Sequence, residues 1–339
     1  MKKNNLVRTV IYELPELSPL SHGVSNHQHT HHDNLLPYNG KWREYPCIDT
    51  SEISSNIINA WGKIEGSKGF NLELHDENVL ITNGCVDALM LSMTLFCEPK
   101  VDSIAIYPPT FEAFSYWATL QGVGVHEIKG NLTNELSLLN PKLTILCSPN
   151  NPTGYMFSRN EIINLLRSSN GGLIIDETYA DFSNKESAMS LVNDFENLVV
   201  IRSLSKSFGL AGLRLGSMIA SESIIQASRK VQVPFSISSP VRNEVNLALN
   251  NIDLIIDNID KIRTECRRFM HELKTCPCVS FVYESDANFI FVKWNDPVKV
   301  QDFLCSNGFS VKNTLYGTRI TVSTQNENDF FISKLKECI

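Results

Sequence analysis

Residues 203–216 read SLSKSFGLAGLRLG and follow directly on the β-branched run Leu198–Arg202. The run predicts a buried strand, and the letters after it place two serines, Lys206 and Arg214 just past its end. In an open parallel sheet, ligands lie beyond the carboxyl ends of the strands, because the loops there are free to carry side chains. The sequence therefore predicts a ligand site at the end of this strand.

Two earlier runs end in a similar way. Leu143–Cys147 leads into a turn rich in proline and glycine, SPNNPTG, which fixes the backbone and presents Asn151. Gly172–Ile175 ends at Asp176, and Tyr179 follows three residues later. We expect an amide, a carboxylate, a phenol, an amine, hydroxyls and a guanidinium to face one crevice at the ends of these three strands.

The order of strand-like and helical patterns predicts an α/β fold. Strand-like runs, including Ser103–Tyr107, alternate with amphipathic stretches at Val86–Cys97, Phe111–Leu120 and Arg159–Ser168. Such alternation is typical of a mostly parallel sheet that is sandwiched by helices. We predict an N-terminal arm or lid at 1–45, a large domain at 46–240 and a smaller α+β domain at 241–339.

The smaller domain opens with one predicted helix, about Val241–Lys274. Predicted strands follow at Val279–Tyr283, Asn288–Lys293 and Arg319–Ser323, and predicted helices at Pro297–Asn307 and Asn326–Glu337.

Composition narrows the class of partner. The 339 residues are 42% apolar and carry a net charge of −7, so the chain buries a large core and lacks the basic balance of a nucleic-acid-binding protein. No apolar run reaches the ~20 residues that span a bilayer, and the nine cysteines are scattered. We expect a cytoplasmic protein with free thiols, no membrane or nucleic-acid partner, and a small-molecule substrate.

The polar groups at the three strand ends are the set that pyridoxal 5′-phosphate requires. Its aldehyde needs a lysine amine, its pyridine nitrogen a carboxylate, and its phosphate hydroxyls, backbone N–H groups and an arginine. Each of these residues is weak evidence for a cofactor site by itself, since a lone aspartate after an apolar run is more often a helix cap. Their combination in this order predicts pyridoxal phosphate as the cofactor.

With these residues in view, the chain resembles the fold-type I pyridoxal-phosphate aminotransferases, and among them the histidinol-phosphate aminotransferase branch. The resemblance rests on SPNNPTG at 148–154, DETY at 176–179 and SLSKSFGLAGLRLG at 203–216, and it covers about residues 45–339. It implies that Lys206 carries the cofactor as a Schiff base, that Asp176 pairs with the pyridine nitrogen, and that Tyr179 and Asn151 hold the phenolic oxygen. Lys206, Asp176 and Tyr179 are the implied catalytic residues.

The resemblance also implies how the remaining parts of the cofactor are held. Phe111 is similar to the aromatic residue that stacks on the pyridine ring, and Tyr45 to the tyrosine that reaches the phosphate from the second subunit of a homodimer. The implied phosphate site consists of Ser203, Ser205, Arg214 and the backbone N–H groups of Gly84, Cys85 and Val86.

Three further residues belong to the implied substrate site. Arg319 resembles the arginine that grips the anionic end of the substrate, and its planar fork suits a carboxylate or a phosphate. Lys312 stands where the family has a second arginine. A lysine there keeps the positive charge and lacks the planar guanidinium fork. Asn34 belongs to an N-terminal segment that is shorter than in the family, with 11 residues from Asn34 to Tyr45. These departures leave the substrate open.

The N-terminal segment contains a dense histidine cluster. A metal site would need fixed geometry and supporting second contacts, which an irregular segment does not provide. We predict no metal and interpret the cluster as a polar lid or a source of substrate contacts. The cluster consists of His22, His27, His29, His31 and His32.

Three functions remain open at this point. The first is transamination between an amino donor and a 2-oxo acid. The second is decarboxylation on the same scaffold, as in threonine-phosphate decarboxylases, because the orientation of the substrate decides which bond breaks. The third is a cofactor-binding regulator without turnover, although no DNA-binding motif accompanies the predicted domain.

Overall fold

The larger part of the protein is built on a seven-stranded sheet. The computed structural model describes residues 45–338. The strands of the sheet are β1 Val79–Thr82, β2 Ser103–Ile106, β3 Gly124–Glu127, β4 Leu143–Cys147, β5 Gly172–Asp176, β6 Leu198–Ser203 and β7 Gly216–Ala220.

The strand order in this sheet is β1-β7-β6-β5-β4-β2-β3. Strand β7 is antiparallel to both of its neighbours, and strands β2 to β6 pair in parallel. The ends of β4 and β5 meet where Cys147 pairs with Asp176, and Asp176 in turn pairs with Ile201 of β6. The predicted meeting of three strand ends at one edge of the sheet is therefore confirmed.

Helices cover both faces of this sheet. They are α1 Ser51–Ser67, α2 Cys85–Phe96, α3 Ala113–Leu120, α4 Leu132–Leu139, α5 Arg159–Ser168 and α6 Glu222–Arg229, with short 3₁₀ turns at Asp76–Asn78, Ala180–Phe182, Ala188–Leu191 and Ala211–Leu213. Side chains alternate across the strands: Leu173 and Ile175 belong to the core cluster that contains Trp61, and Ile174 to the cluster that contains Phe114. The predicted α/β sandwich is confirmed.

The C-terminal part forms a second, smaller unit around its own core. Its elements are α7 Ser239–Leu249, α8 Ile252–Lys274, β8 Val279–Val282, β9 Phe289–Trp294, α9 Pro297–Ser306, β10 Lys312–Thr314, β11 Gly317–Thr321 and α10 Gln325–Leu335. The four strands make an antiparallel sheet in the order β10-β11-β9-β8. Phe269, Leu273 and Ile290 lie at its centre.

The single helix predicted at Val241–Lys274 is wrong, because the structure has two helices there. The break falls at Asn250 and Asn251. Asparagine competes for backbone hydrogen bonds and is a poor helix former, and the Asn251 side chain donates to the Leu247 carbonyl at 3.0 Å. The apolar spacing continues across the break, which is why the pattern predicts one helix.

Other bounds differ by a few residues from the predicted ones. The sequence patterns gave no prediction for α1, α4, α6, β1, β3 and β7, nor for β10, whose three residues are too few to show a pattern. The predicted domain boundary at 240/241 falls in the first turn of α7 and stays a prediction. Most of the predicted arm at 1–45 lies outside the described residues. Among residues 45–338, no helix has both the length and the apolar character needed to cross a membrane.

The start of α2 lies directly against β7. A Cβ atom on Gly216 would come within 2.5 Å of the Gly84 carbonyl carbon and 2.8 Å of the Cys85 nitrogen. The close approach needs a glycine at this position, and it holds the first turn of α2 beside the end of β6 and the start of β7.

We therefore expect Gly216→Ala to lower the free energy of unfolding by about 1–3 kcal/mol, the usual cost of overpacking. Gly212→Ala is the matched control, since no atom lies within 4 Å of its added Cβ, and it should change stability by less than about 0.5 kcal/mol. Urea unfolding of both variants measures the difference. Equal stability of the two variants would contradict the close approach.

Candidate active site

A pocket of about 300 Å³ lies at the carboxyl ends of β4, β5 and β6. Residues from both parts of the protein line it, so its walls depend on how the smaller unit packs against the larger sheet. The lining residues are Cys85, Val86, Phe111, Cys147, Asn151, Asp176, Thr178, Tyr179, Ser203, Ser205, Lys206, Ala211, Arg214, Lys312 and Arg319.

Asp176 is the buried acid of the pocket, with 6% of its surface exposed. Its Oδ1 accepts hydrogen bonds from the backbone N–H of Thr178 at 3.0 Å and from the Thr178 hydroxyl at 2.6 Å. Burial raises the pKa of Asp176, and the hydrogen bonds from Thr178 and the charge of Lys206 act in the opposite direction. The carboxylate is thus oriented by Thr178 and would gain from a cationic partner in the pocket.

Lys206 lies on the irregular turn after β6, with its Nζ 5.6 Å from the centre of the Tyr179 ring. Partial burial lowers the pKa of Lys206, and the charge of Arg319 lowers it further. A larger fraction of this amine is neutral near pH 7 than in an ordinary lysine, as a nucleophile or proton acceptor requires.

Tyr179 stands beside the amine as a neutral phenol. Burial raises its pKa to about 12, so the hydroxyl keeps its proton and can donate it in a hydrogen bond. The ring meets Phe289 edge to face, with 4.9 Å between the centroids. Phe289 belongs to β9, and this contact joins the smaller unit to the wall of the pocket.

One end of the pocket has the features of an anion site. Gly84 precedes α2 with a φ of +82°, and a Cβ there would lie 2.5 Å from Nη2 of Arg214. The guanidinium thus covers the N-terminus of α2, where free N–H groups and the helix dipole favour an anion. Arg214 itself has a φ of +54°, a left-handed conformation that is uncommon for a residue with a side chain and is often found at functional sites.

A second cationic region faces this site from the β10–β11 hairpin. Arg319 donates from Nη1 to Oδ1 of Asn151 at 3.0 Å, and its guanidinium lies 5.0 Å from the centre of the Phe289 ring. Its Nε is buried and has no hydrogen-bond partner, which is costly unless a ligand supplies an acceptor. Lys312 pairs directly with Arg319 across the hairpin, so the two side chains project from the same face of the sheet.

The structure brings together nearly all of the predicted site residues. The exceptions within the described residues are Gly84, which borders the pocket through Arg214, and Tyr45, which is 55% exposed and stacks on Phe235 at 5.0 Å. Asn34 and the histidine cluster lie outside the described residues. Among residues 45–338, no group of acidic, histidine or cysteine side chains has the arrangement of a metal site.

Sequence reasoning missed Cys147, Thr178 and Ala211 as lining residues. The sequence could have indicated Thr178, because a residue two positions after an aspartate can donate a hydrogen bond back to its carboxylate. Cys147 and Ala211 are an apolar strand end and a small residue in a glycine-rich turn, and neither type signals a ligand contact in sequence alone.

The family model described as aminotransferase class I and II matches residues 28–334. The chain belongs to this family. It is 32% identical to a histidinol-phosphate aminotransferase of Flavobacterium psychrophilum over 81% of this chain and 83% of that protein. It is 35% identical to one of Buchnera aphidicola over 81% of this chain and 79% of the relative.

Solved structures share the same fold. The histidinol-phosphate aminotransferase of Clostridium acetobutylicum matches with a TM-score of 0.74 and 20% identity, over 87% of this chain and 90% of that chain. An aspartate aminotransferase of Thermotoga maritima matches with a TM-score of 0.72 and 21% identity, over 87% of this chain and 83% of that chain. The protein is an aminotransferase whose cofactor is pyridoxal 5′-phosphate.

The pocket fits this cofactor. It offers an amine of lowered pKa, a buried carboxylate and a glycine-and-arginine anion site in one cavity. Because Gly84 has no side chain, the Arg214 guanidinium can lie close to its backbone. The N-terminus of α2 beside it supplies N–H donors for a phosphate.

Proposed function

We propose that the chain transfers an amino group between histidinol phosphate, or a phosphorylated amine of its type, and a 2-oxo acid. The observation that carries the substrate class is the pair of cations on the β10–β11 hairpin, together with the unpartnered, buried Nε of Arg319. The names of the relatives point to the same substrate.

The cofactor would be held by residues at both ends of the pocket. When bound, pyridoxal phosphate supplies an aldehyde for amines and a ring that accepts the electron pair from the substrate's α-carbon. Asp176 would keep the pyridine nitrogen protonated, and Phe111 would pack on the ring. Because Oδ1 of Asn151 accepts from Arg319, its amide nitrogen is available to donate to the phenolic oxygen beside Tyr179.

The phosphate of the cofactor would lie against the N-terminus of α2. The Ser203 hydroxyl accepts from the Ser205 N–H at 3.0 Å, which orients it towards this end of the pocket. We assign the phosphate to the side chains of Ser203, Ser205 and Arg214 and to the backbone N–H groups of Gly84, Cys85 and Val86.

Lys206 has two tasks in this proposal. Its Nζ would hold the cofactor through the aldehyde, and, when an amino donor takes that place, the freed neutral amine would accept the proton from the donor's α-carbon. The lowered pKa of Lys206 suits both tasks, because each of them requires the unprotonated amine.

The alternative of decarboxylation has less support. An L-threonine-O-3-phosphate decarboxylase of Porphyromonas gingivalis matches with a TM-score of 0.73 at 19% identity, which shows the fold that both classes of enzyme share. The relatives at 30% identity or more named above are aminotransferases.

A donor screen tests the proposal. We expect histidinol phosphate to bleach the visible band of the lysine-bound cofactor, and 2-oxoglutarate to restore it. Lys206→Ala should lack the band, whereas Lys261→Ala, which loses an exposed lysine paired with Asp257, should behave as the parent. Release of carbon dioxide without a need for an oxo acid would favour the decarboxylase, and a band that survives in Lys206→Ala would overturn the assignment of the lysine.

Lys312 gives a test of substrate class. A hydrogen bond to a charged group contributes about 1.5–3 kcal/mol, so Lys312→Ala should raise KM for histidinol phosphate roughly 10- to 100-fold and leave KM for unphosphorylated histidinol nearly unchanged. Lys312→Arg should retain the preference for the phosphorylated donor. Equal losses for both donors would show that Lys312 does not read the phosphate.

We also propose a homodimer, working in the cytoplasm, in which Tyr45 completes the phosphate site of the second subunit. The described chain supports this because Tyr45 is exposed and does not line its own pocket, and because the nine cysteines are free thiols, as is usual in reducing compartments.

Complementation between two defective subunits tests the dimer. Tyr45→Ala and Lys206→Ala should each lose most activity alone. A mixed dimer of the two should regain up to about one intact site. In that site, Lys206 comes from the Tyr45→Ala copy and Tyr45 from the Lys206→Ala copy. If the mixture stays as inactive as its components although mixed dimers form, Tyr45 does not act across the interface.

A further inference from the structure

A buried polar cluster lies on the far side of the two strands that end at the pocket. Side chains alternate along a strand, so Asp176 and Ser203 face the pocket while their neighbours Glu177 and Arg202 face the other way. Arg202 has 1% of its surface exposed, and Glu177 also 1%. Neither of them lines the pocket.

Arg202 is the centre of this cluster. Its Nη1 donates to Glu177 at 3.0 Å and to the Ser187 hydroxyl at 3.4 Å, and its Nη2 donates to Asp181. The guanidinium also lies 5.2 Å from the centre of the Trp61 ring. The arginine thereby joins the end of β6 to the segment that follows β5.

The cluster reaches the pocket through Ser207. Its hydroxyl donates to Oδ2 of Asp181 at 2.5 Å, and Ser207 is the residue after Lys206. Asp181 is itself fixed, because Arg263 of α8 donates to its backbone carbonyl at 2.7 Å. One aspartate therefore connects Arg202, which precedes Ser203, with the residue next to Lys206.

This connection matters because the turn that carries Lys206 has little regular structure. Residues 204–210 lie between β6 and a short 3₁₀ turn. Two backbone hydrogen bonds of 3.1 Å, from Gly209 to the Lys206 carbonyl and from Leu210 to the Leu204 carbonyl, close the turn on itself. The bond from the Leu204 N–H to the Leu215 carbonyl, 3.2 Å long, ties the first residue of the turn to the chain before β7 and leaves the part around Lys206 to other contacts. The Ser207 hydroxyl supplies an anchor to a fixed, buried acid.

Stability alone is a poor explanation for such a cluster. Removing two charges from water is costly, and apolar residues of similar volume often replace buried ion pairs without loss of stability. What apolar packing cannot supply is a directional link between two strand ends. The cluster supplies that link directly behind Asp176, Ser203 and Lys206.

We propose that Arg202, Asp181 and Ser207 form a positioning relay that fixes the Lys206 amine relative to Asp176 and the phosphate site. None of the three lines the pocket, so they are positioning residues. The inference rests on the proposed function, in which Lys206 is the cofactor lysine.

Ser207→Ala is the variant of choice, because Arg202 and Asp181 are buried and their removal would leave an unpaired charge that endangers folding. Ser207→Thr keeps the hydroxyl and serves as the rescue. Ser55→Ala is the matched control, since Ser55 is also a half-buried serine that donates to an aspartate, Asp76, at 2.8 Å, and lies outside the pocket.

The main readout is the pH midpoint of the visible band of the lysine-bound cofactor. The charged or titratable groups that share the pocket with Lys206 are Asp176, Tyr179, Cys85, Cys147, Arg214, Arg319 and Lys312. Partial burial and the charge of Arg319 lower the pKa of the Lys206 amine, and both would act in the same direction on the Schiff-base nitrogen that replaces it. A turn that is freer to move away from them should therefore shift the midpoint upward. We expect a rise of about half a pH unit or more in Ser207→Ala.

We further expect kcat to fall about 10-fold or more in Ser207→Ala with little change in KM, because misplacement of the reacting amine affects the transition state. Ser207→Thr should restore both values, and Ser55→Ala should match the parent in midpoint and kcat. Thermal unfolding of the cofactor-free proteins shows whether the two alanine variants are similarly folded.

The outcomes separate the inference from the function on which it rests. If Lys206→Ala loses the band and Ser207→Ala has the midpoint and kcat of Ser55→Ala, the relay is wrong and Lys206 remains the cofactor lysine. If Lys206→Ala retains the band, the proposed function fails whatever Ser207 does. If Ser207→Ala differs from Ser55→Ala in its unfolding temperature and in neither midpoint nor kcat, Ser207 contributes to stability and the proposed positioning role is wrong.

Discussion

The parallel pairing of β4, β5 and β6 is the constraint on which the rest of the molecule depends. It places the pair Cys147 and Asp176 in register and brings Asp176 beside Ile201. Because parallel strands end at the same edge of a sheet, three loops that are about 30 residues apart in sequence meet there. Without that register, the amine, the carboxylate and the amide would belong to unrelated surface loops.

The ends of β5 and β6 also separate two chemical environments by the alternation of side chains. Asp176 and Ser203 line the cavity, while Glu177 and Arg202 are buried behind it and pair with each other. Burial raises the pKa of Glu177 and the charge of Arg202 opposes that shift. The same short segments therefore supply both groups that line the pocket and the buried ion pair behind them.

The smaller unit completes the pocket through a few contacts. Arg319 reaches Asn151, and Phe289 packs on Tyr179, so the site closes only when both units are in place. Sequence patterns predicted four of the seven strands of the sheet and most helices, because strand runs and helical spacing are local signals. The patterns and the family resemblance together named most of the lining residues. They did not predict the break at Asn250 and Asn251, where apolar spacing continues across two poor helix formers.

By itself, the sequence predicted the fold class and the cofactor correctly and named most of the polar groups that line the pocket, because strand runs and the polar residues that follow them are short, local patterns. Only the tertiary structure decided that Lys312 and Arg319 share one face of a hairpin, since their pairing depends on a turn with too few residues to show a pattern. It also decided the partners of Arg202, because a buried arginine and a surface arginine look alike in sequence. Their difference lies in distant packing against Trp61 and Asp181.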